Sequence, residues 1–156
     1  MKGTVMVIGY GDDLRSDDGI GQRVANAIES WRLSTVQSLA VHQLTPELAA
    51  TLASADLAIF VDASTKAEAV DVQVRSLLPP VTHLVNEHLA DPRSLLALTQ
   101  SLYGHCPAAW WVTIPGINFE FGDRISPTAE QGIAIALVKI IHILDKCKNL
   151  WMKLDF

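Results

Sequence analysis

Short, uniformly apolar runs alternate along the chain with stretches in which apolar residues recur every three or four positions. Val5-Met6-Val7-Ile8 is a continuous β-rich run ending at Gly9, the pattern of a strand buried on both faces. From Gly19, residues Ile20, Val24, Ala27, Ile28 and Trp31 repeat at helical spacing. Val36 to Val41 reads as a second strand. Thr45-Pro46 then starts a helix running to about Ala53, with Thr45 as N-cap and proline at the first helical position. Leu57-Ala58-Ile59-Phe60-Val61 is the clearest buried strand, with Asp62 directly after it. Val70 to Val74 alternates as an edge or one-sided strand does. Pro92 to Tyr103 is helical, with Asp91 as its candidate cap. Trp110 to Ile114 is a strand closed by Pro115-Gly116, and Ser126-Pro127 opens a long final helix with Ile133, Leu137, Ile140, Ile141 and Leu144 in one stripe.

Strands alternating with helices predict an α/β fold: a doubly wound, mostly parallel twisted sheet with helices on both faces, a three-layer α/β/α sandwich. At 156 residues, with no linker or repeat, the chain reads as a single domain over 1–156. Ligands of such folds sit outside the carboxyl ends of the strands. The notable polar residues follow strand ends: Asp12 to Asp18 after the first, His42 after the second and Asp62 after the third.

Charge narrows the chemistry. Hydrophobic residues make up 49% and charged residues 19%, a globular balance, and the net charge of −5 leaves no basic footprint for nucleic acid. Cys106 and Cys147 read as reduced thiols in a cytoplasmic protein. The apolar stretch from Gly132 to Leu144 is interrupted by Lys139 and His142 and is too short to cross a bilayer, so no membrane role is expected.

Gly9-Tyr10-Gly11 between strand and helix invites a dinucleotide reading, but Leu14 stands where a third glycine belongs. Asp12, Asp13, Asp17 and Asp18 around the helix start would repel a pyrophosphate, so a cation is favoured over a nucleotide. Asp17 and Asp18 are equally suited to capping the helix, Asp62 to forming a turn, and His88 to a structural role. Together Asp18, Asp62 and His88 make a carboxylate–imidazole donor set that suits nickel or zinc and leaves positions open. There is no zinc-protease helix motif and no Gly-x-Ser-x-Gly. His105-Cys106 is read as incidental.

The run Gly9-Tyr10-Gly11-Asp12-Asp13-Leu14-Arg15-Ser16-Asp17-Asp18-Gly19-Ile20-Gly21 resembles the N-terminal motif of the endopeptidases that mature nickel-iron hydrogenases. Val61-Asp62-Ala63 and Glu87-His88, ahead of the Pro92 helix, resemble that family's site aspartate and histidine. The resemblance implies an endopeptidase that removes a C-terminal peptide from the hydrogenase large-subunit precursor after nickel insertion. It also implies that nickel is borne by the substrate and bound transiently, read by Asp18, Asp62 and His88, and that no nucleotide takes part. His42 to Leu48, Trp110-Trp111-Val112 and Asn118 to Gly122 look more like the members serving bidirectional, NAD-linked hydrogenases. Two features depart from the family: Asp12 stands where many members have asparagine, and His42-Gln43-Leu44-Thr45 replaces an Asp-Gly-Gly-Thr sequence. The expected enzyme is a monomer. Two alternatives compete: a receiver-type phosphoacceptor domain using Asp12, Asp13 and Asp62, which lacks the required lysine after Ile114, and a non-catalytic chaperone of the metallated subunit.

Overall fold

The computed structural model describes residues 3–65, 70–78 and 91–154. Five strands, β1 (Val5–Tyr10), β2 (Val36–Val41), β3 (Leu57–Ser64), β4 (Gln73–Leu77) and β5 (Ala108–Pro115), form one sheet in the order β2-β1-β3-β5-β4. β1 pairs in parallel with β2 and β3, and β3 with β5, while β4 runs antiparallel on the edge beside β5. The expected mostly parallel, doubly wound sheet is the one observed.

Because successive side chains of a strand point to opposite faces, the same strands serve two cores. Val7, Ile59, Val61, Val112 and Ile114 face helices α1 (Ile20–Ser30) and α4 (Pro127–Leu154), packing on Val24, Ile28, Ala136 and Ile140. Met6, Ile8, Ala58, Phe60 and Ala109 face α2 (Leu48–Ala53) and α3 (Pro92–Tyr103), packing on Leu52, Leu95 and Leu96. Both faces are covered, which is why these strands read as unbroken apolar runs.

Four details differ from the sequence reading. β3 does not stop at Val61: pairing with β5 continues through Asp62↔Thr113 to Ser64↔Pro115, so Asp62 lies within the strand. The second helix begins at Leu48, after a turn over Pro46 and Glu47; its N-cap is Glu47, with no side-chain cap bond, and Thr45 instead accepts the Leu48 N–H at its carbonyl. The edge strand lies at Gln73–Leu77, three residues beyond its expected start, because its ladder with β5 runs from Gln73↔Thr113 to Leu77↔Ala109. The last helix spans 28 residues, and Pro127–Lys153 is long and apolar enough by length and composition to cross a membrane. Its Ala129, Ala136 and Ile140 are buried against the sheet, while Ile135, Val138, Ile141, Leu150 and Met152 are exposed.

Candidate active site

The chain leaves β1 for β2 on one side and returns to place β3 on the other, so a crevice opens at the carboxyl ends of β1 and β3. A short 3₁₀ turn, Ser16–Gly19, and the start of α1 close over it. Backbone proximity here requires glycine. A Cβ on Gly21 would stand 2.5 Å from both the Tyr10 and the Val61 carbonyl oxygens, and one on Gly9 would stand 1.9 Å from Gly21 O. Gly11, at φ +143°, lies against Asp18 O. The glycine motif thus brings an acidic loop against strand ends.

Asp18 and Asp62, taken singly from sequence, are neighbours. The Asp18 carboxylate receives the Asp12 N–H at 2.8 Å, and Gln22 ties the loop to α1 by donating to Gly11 O at 2.6 Å. Asp62 is half-buried and accepts its next residue's amide, Ala63 N–H, at 2.8 Å. Burial, helped by the nearby Asp18 charge, pushes its carboxyl up to about 7, against the lowering pull of the Ala63 amide and the Tyr10 hydroxyl. A desolvated carboxyl beside a second negative charge keeps its proton more tightly and can release it to a cation.

Tyr10, read from the sequence only within the glycine turn, and Trp111 both border this site. Tyr10 ends β1 beside Asp62, and Trp111 lies on β5 opposite Phe60, on the same face of the sheet. Burial raises the Tyr10 hydroxyl far above the usual phenol range, and the Asp62 charge adds to this. The Tyr10 hydroxyl stands near both Asp62 and the Trp111 indole, yet neither Tyr10 Oη nor Trp111 Nε1 completes a hydrogen bond among the described residues. Asp62 is therefore walled by neutral polar groups and carries no ion pair to a base among the described residues.

Asp17 has a different role from its neighbour. It is fully buried and accepts from Ile117 N, Asn118 N, Ser126 N and Ser126 Oγ at 2.7–3.1 Å. Burial alone would raise its carboxyl, but these donors outweigh it and hold it below the usual range. Asp17 therefore fastens the acidic loop to the segment between β5 and α4. Ser126, whose Oγ accepts the Ala129 N–H, caps α4 at the same point.

The remaining sequence candidates are placed as follows. Asp12 accepts the Leu14 N–H and lies 3.7 Å from Arg15 Nε and 3.9 Å from His42 Nδ1, on the exposed lip of the site. Asp13 is exposed. His105 bonds the Ala53 and Tyr103 carbonyls beside the start of β5, at the opposite end of the sheet. Cys106 and Cys147 are free thiols, raised by burial. His88 lies outside the described residues. Among the described residues no three His, Cys, Asp or Glu side chains form a metal-holding group.

No family model and no curated protein matches the chain. Its structure is similar to several solved ones. The hydrogenase maturating endopeptidase HybD from E. coli superposes with a TM-score of 0.74, at 24% identity over 92% of this chain and 93% of that one. A hydrogenase 2 maturation peptidase from a Thaumarchaeota archaeon gives 0.71 at 21% identity, over 91% and 98% of the two chains. The [NiFe] hydrogenase maturation protease HycI from Thermococcus kodakarensis gives 0.71 at 19% identity, over 91% and 92%. The chain has the fold of these proteins.

Proposed function

We propose that this chain is an endopeptidase of hydrogenase maturation, which removes a C-terminal peptide from the precursor of a [NiFe] hydrogenase large subunit after nickel insertion. The observation that carries the reading is the Asp18–Asp62 pair at the carboxyl ends of β1 and β3, in a fold shared with maturation proteases. A receiver-type domain fits less well, because its five strands run parallel in the order 2-1-3-4-5, whereas β4 here is antiparallel and outside β5.

In this reading Asp18, Asp62 and His88 approach the nickel carried by the substrate. Fixing the substrate through its own metal places the scissile carbonyl beside the carboxylates, and positioning alone can lower a barrier by several kcal/mol. With the metal engaged, a carboxylate oxygen that it leaves free can take a proton from attacking water and return it to the leaving amine. In the unbound chain burial pushes the Asp62 carboxyl up to about 7 and keeps its proton on. Nickel displaces that proton, so metal recognition weakens as pH falls below about 7, and further as the histidine protonates below about pH 6.5. The enzyme acts as a cytoplasmic monomer. Its partner belongs to the bidirectional, NAD-linked hydrogenases.

Mass spectrometry of the nickel-loaded precursor, before and after incubation, tests this. The expected result is loss of one C-terminal peptide, absent without nickel and slowed at least about 100-fold by Asp62→Asn or His88→Ala. Unchanged precursor mass with nickel demonstrably in place would leave binding without cutting, the chaperone alternative.

A further inference from the structure

Beside the site lies an apolar surface that folding does not use. Leu14, Ile117 and Phe121 are 61%, 65% and 80% exposed, although they sit on loops bonded together throughout. Gly122 N–H donates to Leu14 O at 2.9 Å, Ser16 N–H to Gly122 O at 2.7 Å, and Ser16 Oγ to Glu120 O at 2.8 Å. The Ile117 amide is held by buried Asp17 at 2.9 Å. The Arg15 guanidinium lies 5.0 Å from the Phe121 ring centroid, a cation–π contact that stiffens the crest. Phe119, two residues away, packs against the core, whereas Phe121 stands exposed.

Exposed apolar side chains on a rigid frame are what a binding hot spot needs, since little conformational freedom remains to be lost on docking. Charges of both signs surround the crest in the chain, Asp12, Asp13, Glu120 and Asp123 with Arg15, Arg23 and Arg124, Arg15 lying beside Asp12 and Arg23 donating to the Asp123 carbonyl. Apolar side chains framed by near-balanced charge suit an apolar hollow with a polar rim on the partner. It is continuous with the site, because Leu14 and Asp18 belong to one loop.

We propose that Leu14, Ile117 and Phe121 form a preformed docking crest for the protein substrate, engaging an apolar hollow next to the scissile segment. This rests on the endopeptidase reading and adds a recognition surface to it. The crest binds; Asp18, Asp62 and His88 do the chemistry.

Surface plasmon resonance with immobilised nickel-loaded large-subunit precursor, run beside the cleavage assay, tests it. Phe121→Ala and Leu14→Ala are expected to weaken binding at least about tenfold, and Phe121→Asp further, with KM raised and kcat retained. Melting temperature, measured in parallel, stays within about 2 °C, since these side chains are exposed. The two proposals fail separately. If the unaltered chain cleaves the precursor and the crest variants bind and cleave equally well, docking is wrong and proteolysis stands. If the unaltered chain binds through the crest without cutting, proteolysis is wrong and docking stands. No binding of the precursor by the unaltered chain overturns the docking proposal.

Discussion

Two adjacent aspartates and one in a strand show how little residue type says without its surroundings. Asp17 is buried among four donors and stays ionised, Asp18 is half-buried on the lip, and Asp62 is pushed up to about 7 by burial and by Asp18. The sign of the Asp62 shift has a consequence for stability. A carboxyl whose folded value lies above its unfolded 3.8 favours the folded chain fully below that pH and loses the contribution as pH rises through 7. Asp62→Asn removes this burden. It should stabilise the chain by roughly 2–4 kcal/mol at pH 8.5 and by less than about 1 kcal/mol at pH 4. Urea unfolding at the two pH values measures this, and an equal effect at both would refute the burial argument. The sequence showed that Asp62 stood beside a buried strand. It could not show that β5 extends the pairing past Val61, and so could not give the face on which Asp62 and Tyr10 meet. Asp17 read as a helix cap because its four donors come from residues 117–126, far along the chain.

At the scale of elements, the contact of α1 with β1 and β3 decides whether the acidic turn reaches the site. Gly9 and Gly21 let helix and strand backbones meet without side chains between them. In Gly21→Ala the new methyl would stand 2.5 Å from two backbone carbonyls, which cannot rotate away as a side chain would. The expected cost is about 1–3 kcal/mol, or a fall of roughly 2–12 °C in melting temperature for a chain of this size. Calorimetry reads the first effect. The second is weaker Ni²⁺ binding, because the helix start carrying Asp18 must move; a variant with unaltered melting and unaltered Ni²⁺ titration would overturn this account. Elements with strong periodicity, β1, α1, β2 and α3, were legible almost to the residue. The edge strand was displaced because its register is set by β5, which follows it in sequence. Thr45-Pro46 carried a start signal that the chain spent on a turn, and the helix formed only from Leu48.

At the scale of the whole molecule, the architecture followed from alternation of elements, whereas the antiparallel placement of β4 outside β5 has no local signature. The two cores share their strands. Val7 and Ile8, Ile59 and Phe60 are sequence neighbours on opposite faces, so loss of either helix layer uncovers the strands that support the other. α4 joins the ends of the chain in the same way: the Trp151 ring lies against Gly3, just before β1, while Ala129 at the helix's other end packs under the β5 terminus. No helix layer can therefore detach as an independent unit. Equilibrium unfolding should be a single cooperative transition, with far-ultraviolet circular dichroism, tryptophan fluorescence and calorimetry giving one midpoint. The tryptophans make the comparison discriminating. Trp111 reports on the site end of the α2/α3 face and Trp151 on the far end of α4, so variants retaining one or the other follow the two cores separately. Separate midpoints for Trp111 and Trp151 would divide the chain into two folding units and require the site's carboxylate pair to be held by only one of them.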